Sequence, residues 1–440
     1  MLQVLANRTY RHLFLAQVIA LVGTGLATVA LGLLAYNLAG ANAGAVLGTA
    51  LAIKMIAYVG VAPVAAAFAE RLPRRTMLVS LDLIRAAVAL ALPFVTQIWE
   101  IYVLIFVLQS ASAAFTPTFQ ATIPDVLPDE KEYTRALSLS RLAYDLESVV
   151  SPMLAAALLT VISFHSLFAG TIVGFLASAA LVVSVVLPSP KATERRGIYD
   201  RTTRGLRIYL ATPRLRGLLA LNLAVAAASA MVIVNTVVLV QAEFGMTQRA
   251  TALALAAFGG GSMIAALFLP RLLENIPDRT AMLVGAIILI AGLFVGTLVP
   301  GFRLLLPLWF ALGLGYSLAQ TPSGRLLRRS SQPEDRPSLF AAQFALSHAC
   351  WLITYPVAGW LGAQAGLPFT FATLGVIAAV AVFVATRLWP AHDPDAIEHV
   401  HDTLDAGHQH LADAVPVGNG HRHAHAYVID GHHPEWPRLA

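Results

Sequence analysis

The chain has 440 residues, of which 58% are hydrophobic and only 12% charged, and its mean hydropathy is +0.71. Water-soluble domains are not this apolar, so the composition excludes an ordinary soluble protein and indicates a chain that is mostly surrounded by lipid. The net charge of +5 does not indicate a nucleic-acid partner, because the basic residues lie between apolar runs, and the single cysteine, Cys350, excludes an intrachain disulfide.

The N-terminus begins with a short basic segment, residues 1–11, ahead of a first apolar run. A signal peptide begins in the same way, but this run continues to about Tyr36 without a clear cleavage site of small residues. We therefore expect it to be the first retained membrane span.

Twelve apolar runs follow one another along the chain, and most are about 20 residues long, the length that a helix needs to cross a bilayer. They show no alternation with a period of two, which argues against a barrel. The pattern predicts an all-α membrane protein with twelve transmembrane helices in two pseudo-symmetric six-helix bundles, residues 1–187 and 216–389, joined by a linker, residues 188–215. The predicted runs are His12–Tyr36, Ala43–Phe68, Met77–Val95, Ile101–Ile123, Arg135–Val161, Ser166–Leu187, Leu218–Gln241, Ala250–Leu269, Ala281–Val299, Leu304–Ser323, Ser338–Gly362 and Pro368–Leu388.

Two halves are also indicated by an internal repeat. The motif E-x-x-P-x-R-T occurs at residues 70–76 and again at residues 274–280, an offset of 204. Thr116-Pro117 and Thr321-Pro322 repeat at an offset of 205, and Pro152 and Pro356 at 204. Matches at one offset indicate a duplicated unit, which is an architecture typical of transporters.

Lysine and arginine predict the orientation of the bundle. Taken alternately, the connections on one side carry nearly all of the basic residues, and those on the other side carry only Arg249 and Arg303. Because Lys and Arg are retained in the cytoplasm, both termini and the central linker are predicted to face the inside of the cell. Outside the linker, the basic side holds Arg8, Arg11, Arg71, Arg74, Arg75, Lys131, Arg135, Arg271, Arg279, Arg325, Arg328, Arg329, Arg336 and Arg387.

These features resemble the major facilitator superfamily, in which a charged turn of the form G-x-x-x-D-R-x-G-R-R follows the second helix. Residues 66–75 keep the arginine pair of that turn, with Glu70 at the acidic position and Pro73 in place of the glycine. The resemblance covers about residues 5–390 and implies that Glu70, Arg71, Arg74 and Arg75 form a cytoplasmic latch.

Several ionisable residues lie inside the predicted spans, where an unpaired charge is costly. Asp82 and Arg85, and likewise Arg141 and Asp145, are spaced to share one face of a helix. Asp82 and Arg141 lie about 9 Å in from the basic ends of their helices. We predict that these residues form a structural gate network beneath the latch, with a direct role in substrate binding as the alternative.

Glu147 lies about 18 Å into its helix, close to the centre of the bilayer, where a carboxylate can load and release a proton as a chamber opens to either side. Lys54, in the middle of the second span, is its expected partner, and the pair either couples protons or simply joins two helices.

His348 is a candidate for the central cavity, although a lone histidine is more often a hydrogen-bonded core residue. The other cavity candidates among the polar residues are Gln109, Asn222 and Tyr316.

Residues 390–440 differ sharply in composition, and we predict that they form a disordered cytoplasmic tail. The spacing H-x-H recurs there, and i and i+2 side chains of an extended strand point the same way, so that two imidazoles can bind one ion. Imidazole suits Ni2+, Zn2+, Co2+ and Cu2+. A solubilising or pH-responsive tail is the alternative. The predicted metal ligands are His399, His401, His408, His410, His421, His423, His425, His432 and His433.

A histidine-rich tail on such a chain resembles the nickel-resistance exporters of this superfamily, which are similar at residues 82–85, 139–142 and 151–152. The resemblance implies an inner-membrane antiporter that exports a divalent cation, Ni2+ first and Co2+ or Zn2+ next, in exchange for protons. Two alternatives stay open: an exporter of a small organic molecule such as a siderophore or drug, and a membrane metal sensor acting through its tail. We expect a monomer without a cofactor, without enzyme activity and without direct use of ATP, since no phosphate-binding loop occurs.

Overall fold

The computed structural model describes residues 2–39, 43–69, 72–159, 161–188, 198–299, 301–394, 396–401, 404, 408–411, 413–418, 420–433 and 435–437. Within these ranges the chain contains twelve helices of 18 residues or more, each close to one of the predicted runs. They are α1 (Arg8–Ala39), α2 (Ala43–Ala69), α3 (Arg74–Ala91), α4 (Ile98–Val126), α5 (Glu130–Leu158), α6 (Phe164–Val183), α8 (Pro213–Val237), α9 (Gln248–Leu272), α10 (Asp278–Gly296), α11 (Phe302–Gln320), α13 (Arg336–Gln364) and α14 (Leu367–Leu388).

Nine of the described helical segments are long and apolar enough to cross a membrane, and a shorter apolar stretch, Ala52–Ala65, lies in α2. Two other long helices, α5 and α13, are more polar. Arg141 and Glu147 lie in α5, and Gln343 and His348 lie in α13. Polar residues inside a bundle mark its functional interior, so α5 and α13 are the helices on which a site is expected.

The repeated motif forms the same turn in both halves. Pro73 precedes the first residue of α3, and Pro277 precedes the first residue of α10, both with extended backbone angles. The carbonyl of Pro73 accepts the amide of Met77 at 3.0 Å, and that of Pro277 accepts the amide of Ala281 at 3.1 Å. Proline suits this position because its fixed φ cannot continue the preceding helix but can begin the next one.

The two halves pack alike. In the N-half α1 packs on α6 and α5, α2 on α4, and α3 on α4 and α6. In the C-half α8 packs on α14 and α13, α9 on α11, and α10 on α11 and α14. The order of the partners is the same, which confirms the predicted fold of two pseudo-symmetric six-helix bundles.

Two short helices lie at one end of the bundle, which we call the basic end because Arg74, Arg75 and Arg336 lie there. Helix α7 (Ile198–Ala211) belongs to the predicted linker and packs on α2 and α13. Its Arg204 forms an ion pair with Asp335, and the Tyr209 hydroxyl donates to Gln343 Oε1 at 2.5 Å. Helix α12 (Ser323–Arg329) follows α11.

The prediction of a disordered tail differs from the structure. The described part of the tail forms an antiparallel sheet with the strand order β1-β3-β2, in which His399 lies opposite His423 and His401 opposite His421. The H-x-H spacing that predicts metal binding also has the period of a strand, and Ile397, Tyr427 and Ile429 bury their side chains in the core of the C-half. The strands are β1 (Ile397–His401), β2 (Val415–Val417) and β3 (Gly420–His425).

Candidate functional site

Ion pairs between the halves close the basic end. Asp125, at the end of α4, accepts hydrogen bonds from Arg74 of its own half and from Arg336 of the C-half. The Arg74 side chain is only 1% exposed. A charge at that depth requires a partner, so Asp125 both satisfies Arg74 and joins the two halves.

A second set of contacts lies beside the first, between α5 and α12. Glu130 forms ion pairs with Arg325 at 3.1 Å and with Arg328 at 3.9 Å. The Tyr133 hydroxyl donates to the carbonyl oxygen of Gly324 at 3.2 Å, and Arg325 donates to Thr134 Oγ1 at 3.0 Å. Together with Asp125 these contacts define the gate, and the gate is closed in this structure.

The predicted latch is only partly within the described residues. Glu70 and Arg71 lie outside them, whereas Arg75 donates to the carbonyl oxygen of Val183 at the end of α6. Arg74 does take part in the gate, through Asp125. Among the described residues, the acidic partner of Arg74 is Asp125 of α4.

The predicted pair Asp82 and Arg85 forms an ion pair that is buried inside the N-half. Asp82 also accepts a hydrogen bond from Ser178 Oγ at 2.8 Å. The Arg85 guanidinium lies between two aromatic rings, 4.0 Å from the centre of Phe115 and 4.6 Å from that of Phe175. All of these partners belong to α3, α4 and α6, so the pair joins helices within one half and does not bridge the gate.

Arg141 reaches the other half. Its Nε donates to Ser262 Oγ of α9 at 3.2 Å, and its guanidinium lies 4.4 Å from the centre of the Tyr316 ring of α11. The side chain of Asp145, the predicted partner of Arg141, lies outside the described residues. The described contacts make Arg141 a bridge between the halves above the gate, with Tyr316 as a cation–π partner.

An aromatic cluster lies between α2, α4 and α13, deeper in the bundle. The Tyr58 hydroxyl donates to Gln109 Oε1 at 2.9 Å, and its ring lies 4.7 Å from that of His348 and 4.8 Å from that of Phe344. His348 Nδ1 lies 2.7 Å from the carbonyl oxygen of Phe344, which leaves Nε2 as its second polar atom. Gln109 and His348 thus both contact Tyr58, and their assignment to a shared cavity stays a prediction.

Lys54 contacts this cluster, and Glu147 is its charged neighbour. The Lys54 ammonium is 5.4 Å from the centre of the Tyr58 ring, and it is the charged neighbour that acts on Glu147. Between these two described residues no ion pair within 4.0 Å is formed. A fixed Lys54–Glu147 bridge, one of the two predicted roles, is therefore not the arrangement seen here.

Glu147 is held against α1. A Cβ placed on Gly25 would lie 2.7 Å from Glu147 Oε1 and 2.2 Å from the Cβ of Ser151, so only glycine allows α1 and α5 to approach this closely.

Asn222, another predicted cavity residue, is 1% exposed, and its Nδ2 has no hydrogen-bond partner within the described part of the chain.

Several described histidines of the tail have ring nitrogens close to one another. We call these histidines, together with the sheet that carries them, the histidine module. His399 Nε2 lies 3.1 Å from His401 Nε2, 3.1 Å from His423 Nε2 and 3.0 Å from His433 Nε2. The available nitrogens of five imidazoles lie within 4.8 Å of one another, those of His399, His410, His423, His425 and His433.

Not every predicted ligand belongs to this group. The rings of His408 and His432 lie 5.0 Å apart at the edge of the module, and His408 Nδ1 accepts the amide of His410 at 3.2 Å. His421 lies opposite His401 in the sheet and is not part of the five-residue group among the described residues. His401 is close to the group through its contact with His399.

Burial and then the neighbouring imidazoles lower the pKa of His401, His410 and His423 to about 4. Burial alone would raise the pKa of Asp430, but hydrogen bonds from the His433 ring and from the amides of His432 and His433 lower it to about 2. At neutral pH His401, His410 and His423 are therefore neutral, which is the form of imidazole that binds metal, and Asp430 is ionised.

The histidine module is attached to the basic end of the C-half through Asp393. This carboxylate pairs with Arg214 at 3.5 Å and Arg329 at 3.4 Å, and it accepts the Trp389 indole N–H at 3.1 Å. The ring of Trp436 lies 5.0 Å from the Arg214 guanidinium. Arg329 belongs to α12, the same helix whose Arg325 and Arg328 reach the N-half, so the module lies directly beside the gate.

Sequence reasoning missed most of the gate. The sequence places Arg325, Arg328 and Arg336 on the basic side of the bundle but does not indicate their partners. No pattern in the sequence singles out Asp125. A signal was present, because both copies of the repeat place acidic residues after a proline, Glu130 in one and Asp335 in the other, and both are ion-paired at the basic end. The partners come from distant segments, which no local pattern indicates.

Two six-helix halves that meet around buried polar residues, with ion pairs between them at one end, define a multi-pass membrane transporter. The family model described as Major Facilitator Superfamily matches residues 13–234 and 218–411. The chain belongs to the Major Facilitator Superfamily.

Curated relatives are distant. The uncharacterized MFS-type transporter YvqJ of Bacillus subtilis is 23% identical over 420 residues, which is 89% of this chain and 96% of the relative. Macrolide efflux protein A of Streptococcus pyogenes is 25% identical over 152 residues, and the match spans 32% of this chain and only 37% of the relative. A second uncharacterized MFS-type transporter of Bacillus subtilis, YfiS, is 27% identical over 27% of this chain and 28% of its own length.

Solved structures share the fold at low identity. The human organic anion transporter MFSD10 superposes with a TM-score of 0.76 at 12% identity, covering 86% of this chain and 99% of the other. A bacterial homologue of the iron transporter ferroportin, in an outward-facing state, superposes with a TM-score of 0.70 at 14% identity, covering 86% of this chain and 98% of the other. These likenesses concern the fold alone.

Proposed function

We propose that the protein is a secondary active exporter in the inner membrane of a bacterium, where it acts as a monomer and moves a divalent transition-metal cation outward in exchange for protons. Ni2+ is the first candidate, with Co2+ and Zn2+ next. The observation that carries the proposal is the convergence of imidazole nitrogens in the histidine module, beside the gate. Imidazole is the side chain that these cations share as a ligand, and the module lacks the thiols that Cu(I) prefers.

The orientation supports export. The basic end carries most of the arginines outside the spans, and such residues are retained in the cytoplasm. On this basis the gate, the histidine module and both termini face the cytoplasm. A chelating module on that side raises the local concentration of the ion at the inward-facing mouth, in the way that a tethered binding site raises effective concentration.

Glu147 is the group to which we assign proton coupling. It lies in α5 against Gly25 of α1, with Lys54 as its charged neighbour and no direct ion pair between the two. A carboxylate that is not locked to a fixed counter-ion can exchange its proton with each side in turn. Protonation then weakens its hold on a cation, which links the two flows in opposite directions.

Inverted membrane vesicles test the proposal. Ni2+ added outside such vesicles faces the basic end, and we expect its uptake to accelerate when the vesicle interior is made acidic. Glu147→Gln should remove this acceleration, because the amide cannot carry a proton. Glu132→Gln, on the exposed first turn of the same helix, is the matched control and should transport as the parent does. Equal pH dependence in the parent and in Glu147→Gln contradicts the assigned role.

The alternative of an organic cargo is favoured by the lining between the halves. Tyr58, Phe344 and His348 form an aromatic cluster, and Lys54 and Arg141 add two cations against one described carboxylate, Glu147. Such a surface suits an amphipathic or anionic organic molecule, and one partial relative is named for macrolide efflux. Cells that gain tolerance to a macrolide but not to Ni2+ when they produce the protein would favour this alternative.

The other alternative is a membrane metal sensor that acts through its tail. Removal of residues 391–440 should abolish every function of such a sensor, whereas a transporter should keep some flux of the ion.

A further inference from the structure

The histidine module contains an arrangement of hydrogen-bonding groups that neutral imidazoles cannot satisfy on their own. His399 Nδ1 lies 3.0 Å from the carbonyl oxygen of Ile397, which can only accept, so this nitrogen carries the hydrogen. His433 Nδ1 lies 2.9 Å from Asp430 Oδ1, which also accepts the amides of His432 and His433. It therefore carries a hydrogen as well.

It follows that the Nε2 atoms of His399 and His433 both present lone pairs. They nevertheless lie only 3.0 Å apart. Two acceptors at that distance repel one another unless a cation lies between or beside them. A divalent metal ion bound by both nitrogens supplies that positive charge.

Two more nitrogens point to the same place. His425 Nδ1 lies 2.9 Å from the carbonyl oxygen of Ala426, which leaves a lone pair on its Nε2. The Nε2 atoms of His410 and His425 are both buried and have no hydrogen-bond partner in the described residues. Buried acceptors are normally satisfied, so their shared lack of a partner indicates a ligand that binds both.

The spacing of the nitrogens fits a first-row divalent cation. With metal–nitrogen bonds of about 2.1 Å, adjacent ligands in an octahedral shell lie about 3.0 Å apart, whereas in a tetrahedral shell they lie about 3.4 Å apart. The three contacts of His399 Nε2 are 3.1, 3.1 and 3.0 Å. These contacts are close to both edges, so the spacing is compatible with a first-row divalent cation and does not select one geometry.

We infer that the histidine module is a resident metal site, in which the five clustered imidazoles, with His401 beside them, bind one divalent cation of the Ni2+ class through their ring nitrogens. Asp430 orients His433 through Nδ1, as carboxylates orient metal-binding histidines elsewhere. The ion holds β1, β3 and the segment after β3 together and so keeps the module docked through Asp393 against α12. The site is separate from the space between the two halves, so its binding of an ion does not depend on which substrate the protein transports.

Binding of Ni2+ to the purified full-length protein in detergent tests the inference. We expect one tightly bound ion per chain after desalting, and an X-ray absorption spectrum with nitrogen neighbours only, at about 2.1 Å, and the outer-shell features of at least four imidazoles. His399→Ala should abolish the bound ion, whereas His392→Ala, at an exposed histidine outside the cluster, should keep it. An oxygen-rich shell, or equal binding in both variants, overturns the inference.

Asp430→Asn provides a milder variant, because the ligands stay in place and only the orientation of His433 is weakened. We expect affinity to fall by about 10 to 100-fold with one ion still bound per chain. Hydrogen exchange of the full-length protein should show that Ni2+ protects the amides of residues 397–401 and 420–425 in the parent, and no protection in the parent overturns the structural role. Glu147→Gln should bind the ion normally, so a failure of the proposed transport and a failure of this site are distinguishable.

Discussion

Replacing Asp125 by asparagine is expected to open the gate. The substitution removes the anionic partner that Arg74, which is 1% exposed, has among the described residues, and it removes the ion pair to Arg336 of the C-half. The pair with Arg336 is the one that only the closed gate makes, and a hydrogen bond to a charged group contributes about 1.5 kcal/mol or more, so the balance between closed and open gates should shift by about tenfold or more.

Accessibility of a cysteine at position 134 measures this change. Thr134 is 3% exposed at the contact with Arg325, so Thr134→Cys in a Cys350→Ser background should react slowly with a membrane-impermeant maleimide. Added to this background, Asp125→Asn should accelerate the labelling. Asp129→Asn removes a charge at the same end but keeps the cap of α5, since asparagine caps as well as aspartate, and it should leave the rate unchanged. Equal rates in the two variants would show that Asp125 does not hold the gate.

Gly261→Ala is expected to destabilise the C-half. A Cβ at Gly261 would lie 2.0 Å from the carbonyl oxygen of Phe310, and one at Gly313 would lie 1.9 Å from that of Phe258, so α9 and α11 touch backbone to backbone. Small residues permit such close packing in membranes, and overpacking typically costs about 1–3 kcal/mol, with backbone contacts at the upper end.

The neighbouring Gly260→Ala is the control, because a Cβ there meets nothing within 4 Å. We expect the thermal unfolding midpoint of the purified protein to fall by several degrees in Gly261→Ala and to stay within about one degree of the parent in Gly260→Ala. Gly261 lies in α9 beside Ser262, whose hydroxyl oxygen accepts a hydrogen bond from Arg141 of the N-half. A variant Gly261→Ala as stable as Gly260→Ala would contradict the close contact of α9 with α11.

The sequence predicts the helices and the two halves because both depend on local patterns. Long apolar runs specify spans, and the motif around Pro73 and Pro277 builds the same helix start twice. The spacing of Asp82 and Arg85 likewise predicts their pairing, since residues three apart on a helix are neighbours.

The gate and the histidine module were harder to predict, for a different reason in each case. Asp125 meets Arg74 and Arg336 only after three distant segments have packed, so no spacing in the chain indicates the contact. The tail has strands of three to six residues, too short to stand out against its polar composition. It gains its order from apolar anchors such as Ile397 and Tyr427, which bury their side chains against helices far away in the sequence. The prediction of disorder differs from the strands in the described part of the tail, whereas the H-x-H spacing agrees with the period of those strands.

Asp125 has two arginine partners, one in each half, and they are not equivalent. When the halves separate at the basic end, the carboxylate parts from Arg336, which is already 14% exposed, and keeps Arg74, which is buried in the same half. Each cycle therefore exposes a cation that water hydrates readily and never strands a charge in the apolar interior. The ion pair between the halves can therefore break and re-form repeatedly at a small cost in free energy, while the pair within the N-half persists.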